Sequence, residues 1–132
     1  MDKGIRWRQR FVNFEKSLKL LEQALAIKTP DIFQKAGTIQ FFETTYDLAW
    51  KTLKDWLEDE GFAEIASPRA VIKKAFEVGV IKNGHTWMNL IGDRNITAHT
   101  YDEEKVSEVE NAINERYYPL LKELYKSLLE KQ

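Results

Sequence analysis

Cysteine is absent from this 132-residue chain, so neither a disulfide framework nor thiolate chemistry nor a thiol-ligated metal is open to it. Histidine is scarce as well. With only His85 and His99, a zinc site would have to lean on carboxylates, and no His-Glu-x-x-His spacing occurs. Six glycines and three prolines leave room for few turns and for long elements. No apolar run approaches the length of a membrane span, and the start, Met1-Asp2-Lys3-Gly4-Ile5-Arg6, lacks the apolar stretch of a secretory signal. The expectation is a soluble cytoplasmic protein with no membrane association. Nor does one sign of charge prevail: the net charge is −1 with both signs mixed, which confines any RNA contact to a local site.

What is present is a core. Apolar residues make up 43% of the chain, with four Trp, five Tyr and seven Phe, and the length suits one domain spanning residues 1–132. The periodicity predicts four or five helices and no strand. The first runs from about Ile5 to Ala26, with Trp7, Phe11, Phe14, Leu18, Leu21 and Leu25 alternating four and three apart. Thr29-Pro30-Asp31 breaks it. The second runs from about Asp31 to Glu60 on Ile39, Phe42, Tyr46, Ala49, Leu53 and Trp56, widened by Trp50 and Leu57, with Gly61 as the residue that ends it. Two long helices on a short link should form an antiparallel hairpin.

Ser67-Pro68 opens a third helix that carries Val71, Ile72, Ala75 and Phe76 and stops near Gly79. Asn83-Gly84 reads as a turn, His85 as an exposed loop residue, and Thr86 as the cap of a short helix from Trp87 to roughly Ile96. A final helix begins near Asp102, its dipole matched by Glu103 and Glu104, and continues through Val106, Val109, Ile113, Tyr117, Leu120, Leu124 and Leu128. Pro119 should bend or interrupt it. The fold class is all-α, an antiparallel helical bundle.

The aromatic stripes read as core and call for no cofactor. The cationic cluster Lys3, Arg6, Arg8 and Arg10 reads as a solvated first turn, although Arg6 and Arg10 share a face. Glu43, Asp47, Lys51 and Lys54 form a charged strip on the second helix. A solvated face accounts for it; facing a cleft, Glu43, Asp47 and Lys51 would orient a nucleotide or a partner protein.

One stretch does not fit a core account. Asp93-Arg94-Asn95-Ile96-Thr97-Ala98-His99-Thr100-Tyr101-Asp102-Glu103 gathers Arg, Asn, His, Tyr and acids around a helix break. Arg94 offers a fork of donors that matches a phosphate. His99 takes and gives a proton near neutral pH, and Asn95, four residues before it, shares its face on a continuing turn. Metal-independent RNA cleavage needs such parts: a base, a cation and an acid. The plain alternative is an Arg and a His that cap a helix end or close salt bridges.

Arg94-Asn95-Ile96-Thr97-Ala98-His99 resembles the Arg-x4-6-His signature of HEPN domains, and its extension to Tyr101 is similar to the Arg-x4-His-x-Tyr pattern of HepT-like toxins. The branch of nucleotidyltransferase substrate-binding proteins is resembled further at Phe42-Glu43-Thr44-Thr45-Tyr46-Asp47-Leu48-Ala49-Trp50-Lys51, at Ser67-Pro68-Arg69 and at Asn95 through Glu103, so the likeness covers nearly the whole chain. It implies a HEPN-like bundle forming a two-fold homodimer, with the Arg94–His99 regions of both copies lining one cleft. It implies a minimal nucleotidyltransferase as partner. It further implies either an RNase with Arg94, Asn95 and His99 as catalytic residues and Tyr101 as the site of AMP transfer, or a non-catalytic subunit that presents a nucleotide or other substrate to the partner.

Overall fold

The computed structural model describes residues 2–62, 65–93 and 102–132. Among them every regular element is helical: α1 (Lys3–Leu25), α2 (Ile32–Asp59), α3 (Pro68–Glu77), α4 (Gly84–Asp93), α5 (Glu103–Ala112), a π-helical turn (Ile113–Tyr117) and α6 (Tyr118–Leu129). No described helix is long and apolar enough to cross a membrane.

The α1–α2 hairpin is the frame. Asp2 caps α1 by accepting from the Gly4 N–H at 2.7 Å. Asp31 and Gln34 form a reciprocal capping box at the start of α2, their bonds 2.8 and 3.0 Å long. The stripes expected at helical spacing are buried: Trp7, Phe11, Phe14, Leu18 and Leu21 on α1, and Ile39, Phe42, Tyr46, Ala49, Leu53 and Trp56 on α2. Their burial, at roughly 1.5–3 kcal/mol for each large side chain, holds the hairpin closed. Ser17 and Thr45 meet inside it at 2.6 Å. The Thr45 hydroxyl donates back to the Phe41 carbonyl at 2.7 Å, so a polar pair is buried without an unmet donor. Gly61 ends α2 at φ +96°, a left-handed conformation that glycine adopts without strain.

The short helices differ from expectation in two places. Ser67 and Pro68 do open α3, the Ser67 Oγ accepting from the Ala70 N–H at 3.2 Å. Phe76, however, is 53% exposed rather than core, because Val71, Ile72 and Ala75 already fill the face against α2. Its ring lies over the start of α4, where a side chain on Gly84 would meet Phe76 carbons at 3.0–3.4 Å. The second difference is where α4 begins. The helix starts at Gly84, not after Thr86, with Asn83 O accepting from Trp87 N at 3.0 Å, so Thr86 is interior and His85 is exposed on the first turn.

From Asp102 the chain runs in one rod. Val106, Val109, Ile113, Tyr117, Leu120, Leu124 and Leu128 are all buried along it. Pro119 interrupts the ladder as expected, and the form of the interruption is the π-helical turn just before it. Pro119 has no N–H and its ring crowds the Glu115 carbonyl, so the register widens and Tyr118 N bonds to Ile113 O, five residues back. α6 closes the bundle on α1 through Tyr125, which stacks on Phe11 with centroids 5.5 Å apart and donates its hydroxyl to Glu15.

Candidate functional site

Arg94, Asn95, His99 and Tyr101 lie outside the described residues. Their flanks are well defined. Asp93 is the last residue of α4, and the Tyr117 hydroxyl donates to its Oδ2. Tyr117 is 4% exposed and stacks on Phe42 of α2 at 5.9 Å, so this end of α4 is tied through the π-helical turn to the hairpin. Burial first, and then the Asp93 carboxylate, push the Tyr117 phenol up to about 12, which keeps it a donor at neutral pH. The Arg116 guanidinium sits 5.4 Å over the Tyr117 ring. On the other flank Asp102 turns its carboxylate to the N–H groups of Glu104 and Lys105, at 3.0 and 3.3 Å, and caps α5. The acids on either side of the 94–101 segment are thus both engaged, one by a phenol and one by a helix end.

The charged strip of α2 divides. Lys51 Nζ pairs with Asp47 Oδ2 at 2.9 Å across a solvated face, and Glu43 is half-buried one turn before Asp47. Lys54 leaves the strip and joins a different constellation by bonding Glu58 at 2.8 Å.

That constellation corrects the reading of the first helix as a solvated turn. Arg10 Nε lies 3.2 Å from Asp55 Oδ2, and Arg6 Nη1 lies 3.8 Å from Glu58 Oε1, with both carboxylates buried in the hairpin. Burial raises the Asp55 carboxyl above its ordinary range, and Arg10, then Lys54 and Arg6, oppose that rise. Arg8 does stay outside, over the Trp7 ring. The signal was present in the chain: Arg6 and Arg10 are four apart, Asp55 and Glu58 three apart, and antiparallel packing brings the two pairs to the same end. The Tyr117–Asp93 bond left no comparable signal, since it joins residues 24 apart through a register set by the π-helical turn.

The family model described as "Nucleotidyltransferase substrate binding protein like" matches residues 9–130. The chain belongs to that family, within the HEPN/HepT-like group. A Haemophilus influenzae protein named "Probable ribonuclease HepT" is 34% identical over 84 residues, which take in 56% of this chain and 53% of the relative. The match thus spans about half the length of that curated relative. Among solved structures, a Thermus thermophilus protein superposes with a TM-score of 0.74 and 29% identity, covering 89% of this chain and 97% of its own. The family match runs through the 94–101 segment as well as the helices that hold its flanks.

Proposed function

We propose that this protein is the HEPN partner of a small nucleotidyltransferase in a two-protein, toxin–antitoxin-like module, and that it cleaves RNA without a metal until AMP is attached to Tyr101. The observation that carries the reading is a family match spanning residues 9–130, a range that takes in Arg94-x4-His99-x-Tyr101. The relative named as a ribonuclease supports the activity, and the family's description supports the partner.

The chemistry follows from the residue types. His99 takes the proton of a ribose 2′-hydroxyl as that oxygen attacks the adjacent phosphorus, and Arg94 carries the charge that builds on the phosphate oxygens. Asn95 orients the imidazole or the phosphate. The 5′-oxygen leaves with a proton, and a 2′,3′-cyclic phosphate remains. One chain supplies one histidine to this segment, so a two-fold homodimer that repeats the segment across one groove would supply both a base and an acid. AMP attachment is the attack of the Tyr101 phenol oxygen on the α-phosphorus of ATP with loss of pyrophosphate. The added phosphate then competes with RNA for the Arg94 fork. Glu43, Asp47 and Lys51 are assigned to the partner or nucleotide contact; the closed Asp47–Lys51 pair suits a protein surface better than a phosphate.

The family's description favours a second reading, in which the same segment holds a nucleotide for the partner and does not cleave. The deciding experiment is cleavage of labelled RNA by the purified protein with EDTA present. His99→Ala and Arg94→Ala are each expected to lose roughly 10²–10³-fold in rate. Cleavage that survives both substitutions, or that EDTA abolishes, overturns the RNase reading; nucleotide binding without cleavage by the wild type selects the second. Co-expression with the partner should add AMP mass to the wild type and not to Tyr101→Phe.

A further inference from the structure

A groove of about 410 Å³ lies between α4 and the segment that runs from the π-helical turn into α6, within the ~300–1,000 Å³ usual for ligand sites. Its α4 wall is a polar stripe. Asn83, Thr86 and Asn89 are three apart and Asp93 follows four on, so all share one face. Two hydrogen bonds pin the groove at its ends: Tyr117 to Asp93, and Asn83 Nδ2 to Glu123 Oε2 at 2.9 Å. The walls therefore run antiparallel, with residue 93 opposite 117 and residue 83 opposite 123.

This pinning makes the groove polar along its length. Arg116 stands next to Tyr117 at the end pinned to Asp93, while Glu123 stands about two helical turns, roughly 10 Å, farther off. The Glu123 carboxylate is engaged by Asn83. Arg116 is exposed, braced on the Tyr117 ring, and forms no ion pair among the described residues. Asn89 is exposed between the pins, its amide without a hydrogen-bond partner among the described residues. The π-helical turn sets Arg116 on this wall while Ile113 and Tyr117 stay in the core; such turns recur at functional sites.

We infer that this groove is a subsite for one nucleotide of single-stranded RNA, with Arg116 holding its phosphate and Asn89 reading its base edge. The inference rests on the RNA-directed reading of the adjoining 94–101 segment and deepens it. Guanidinium forks match phosphate, a side-chain amide presents the paired donor and acceptor that a base edge needs, and sequence-specific RNA recognition targets unpaired bases.

The test uses the full chain carrying His99→Ala, so that RNA is bound and not cut, with fluorescently labelled homopolymer RNA oligonucleotides and anisotropy as the readout. Adding Arg116→Ala should weaken binding about 10-fold for every sequence and lower the slope of log affinity against log salt by about 0.7. Arg116→Lys should restore most of that slope. Adding Asn89→Ala should flatten the base preference, about 5- to 100-fold at the preferred base, and leave the slope unchanged. Unchanged melting temperatures certify the fold. If the wild type cleaves RNA but Arg116 and Asn89 variants keep affinity, slope and preference, the subsite is overturned and the RNase reading stands. If the wild type does not cleave, yet Arg116→Ala alters binding as stated, the RNase reading falls and the subsite stands. No RNA binding by the His99→Ala protein overturns the subsite outright.

Discussion

Two regions of this bundle carry arginines, and they use them in opposite ways. At the open end of the α1–α2 hairpin, Arg6, Arg10 and Lys54 surround the buried carboxylates of Asp55 and Glu58 at 2.8–3.8 Å. At the α4–α6 edge, Arg116 leans on an aromatic ring and has no carboxylate partner among the described residues. In the hairpin, acids taken out of water require cations nearby, so those cations are committed to structure. At the groove, the nearby acids are engaged by Tyr117 and Asn83, and the cation is left to face solvent. A perturbed acid such as Asp55 therefore marks a packing constraint here, while the unpaired cation marks the place to look for a ligand.

The sharpest way to break that contrast is Arg10→Ala. Removing one partner of a buried pair costs roughly 3–5 kcal/mol, but Arg10 is about one-third exposed, so screening reduces the expected loss to about 2 kcal/mol in urea unfolding at neutral pH. The Asp55 carboxyl is raised above its unfolded value, so its contribution is fully present below about pH 3.8 and is lost as pH rises through the folded value. Arg10→Ala raises it further. The gap between variant and wild type should accordingly narrow as pH falls through the carboxylate range, while RNA cleavage stays unchanged. A loss of cleavage at constant stability would mean that the hairpin charges serve the site after all.

Tyr117→Phe sharpens the other side. It removes a hydrogen bond to a charged acceptor and should cost about 1.5 kcal/mol. The phenol's folded value of about 12 exceeds its ordinary 10, so its stabilisation is complete below pH 10 and is lost between pH 10 and 12. Tyr118, raised to about 12 by burial and by Glu22, behaves the same way. Wild-type melting temperature should fall steeply across that interval, and Tyr117→Phe should fall less steeply from a lower start. Equal slopes would show that Asp93 is not held by this phenol. The smallest effect belongs to Lys51→Ala, which breaks an exposed i,i+4 pair worth about 0.2–0.5 kcal/mol. A larger loss of stability would show that the α2 strip is part of the scaffold.

The helices, their caps and their buried stripes were legible in the chain because they are local. Asp31 with Gln34, Ser67 with Pro68, and the seven-membered stripe from Val106 to Leu128 each lie within a few turns and follow the 3.6-residue period. The 94–101 segment was legible for another reason: it packs reactive side chains into a short run that no apolar periodicity explains. Pro119 announced an interruption, but whether the ladder would kink, break or widen depends on what the displaced residues pack against. Here Ile113 and Tyr117 stay in the core and the extra residue is taken up as a π-helical turn. The partnership of Tyr117 with Asp93, the pairing of Arg10 with Asp55, and the groove between Asn89 and Arg116 are decided only in the tertiary structure. Each joins residues from separate helices whose relative depth and rotation are set by the packing of whole side chains, a quantity that no single segment encodes.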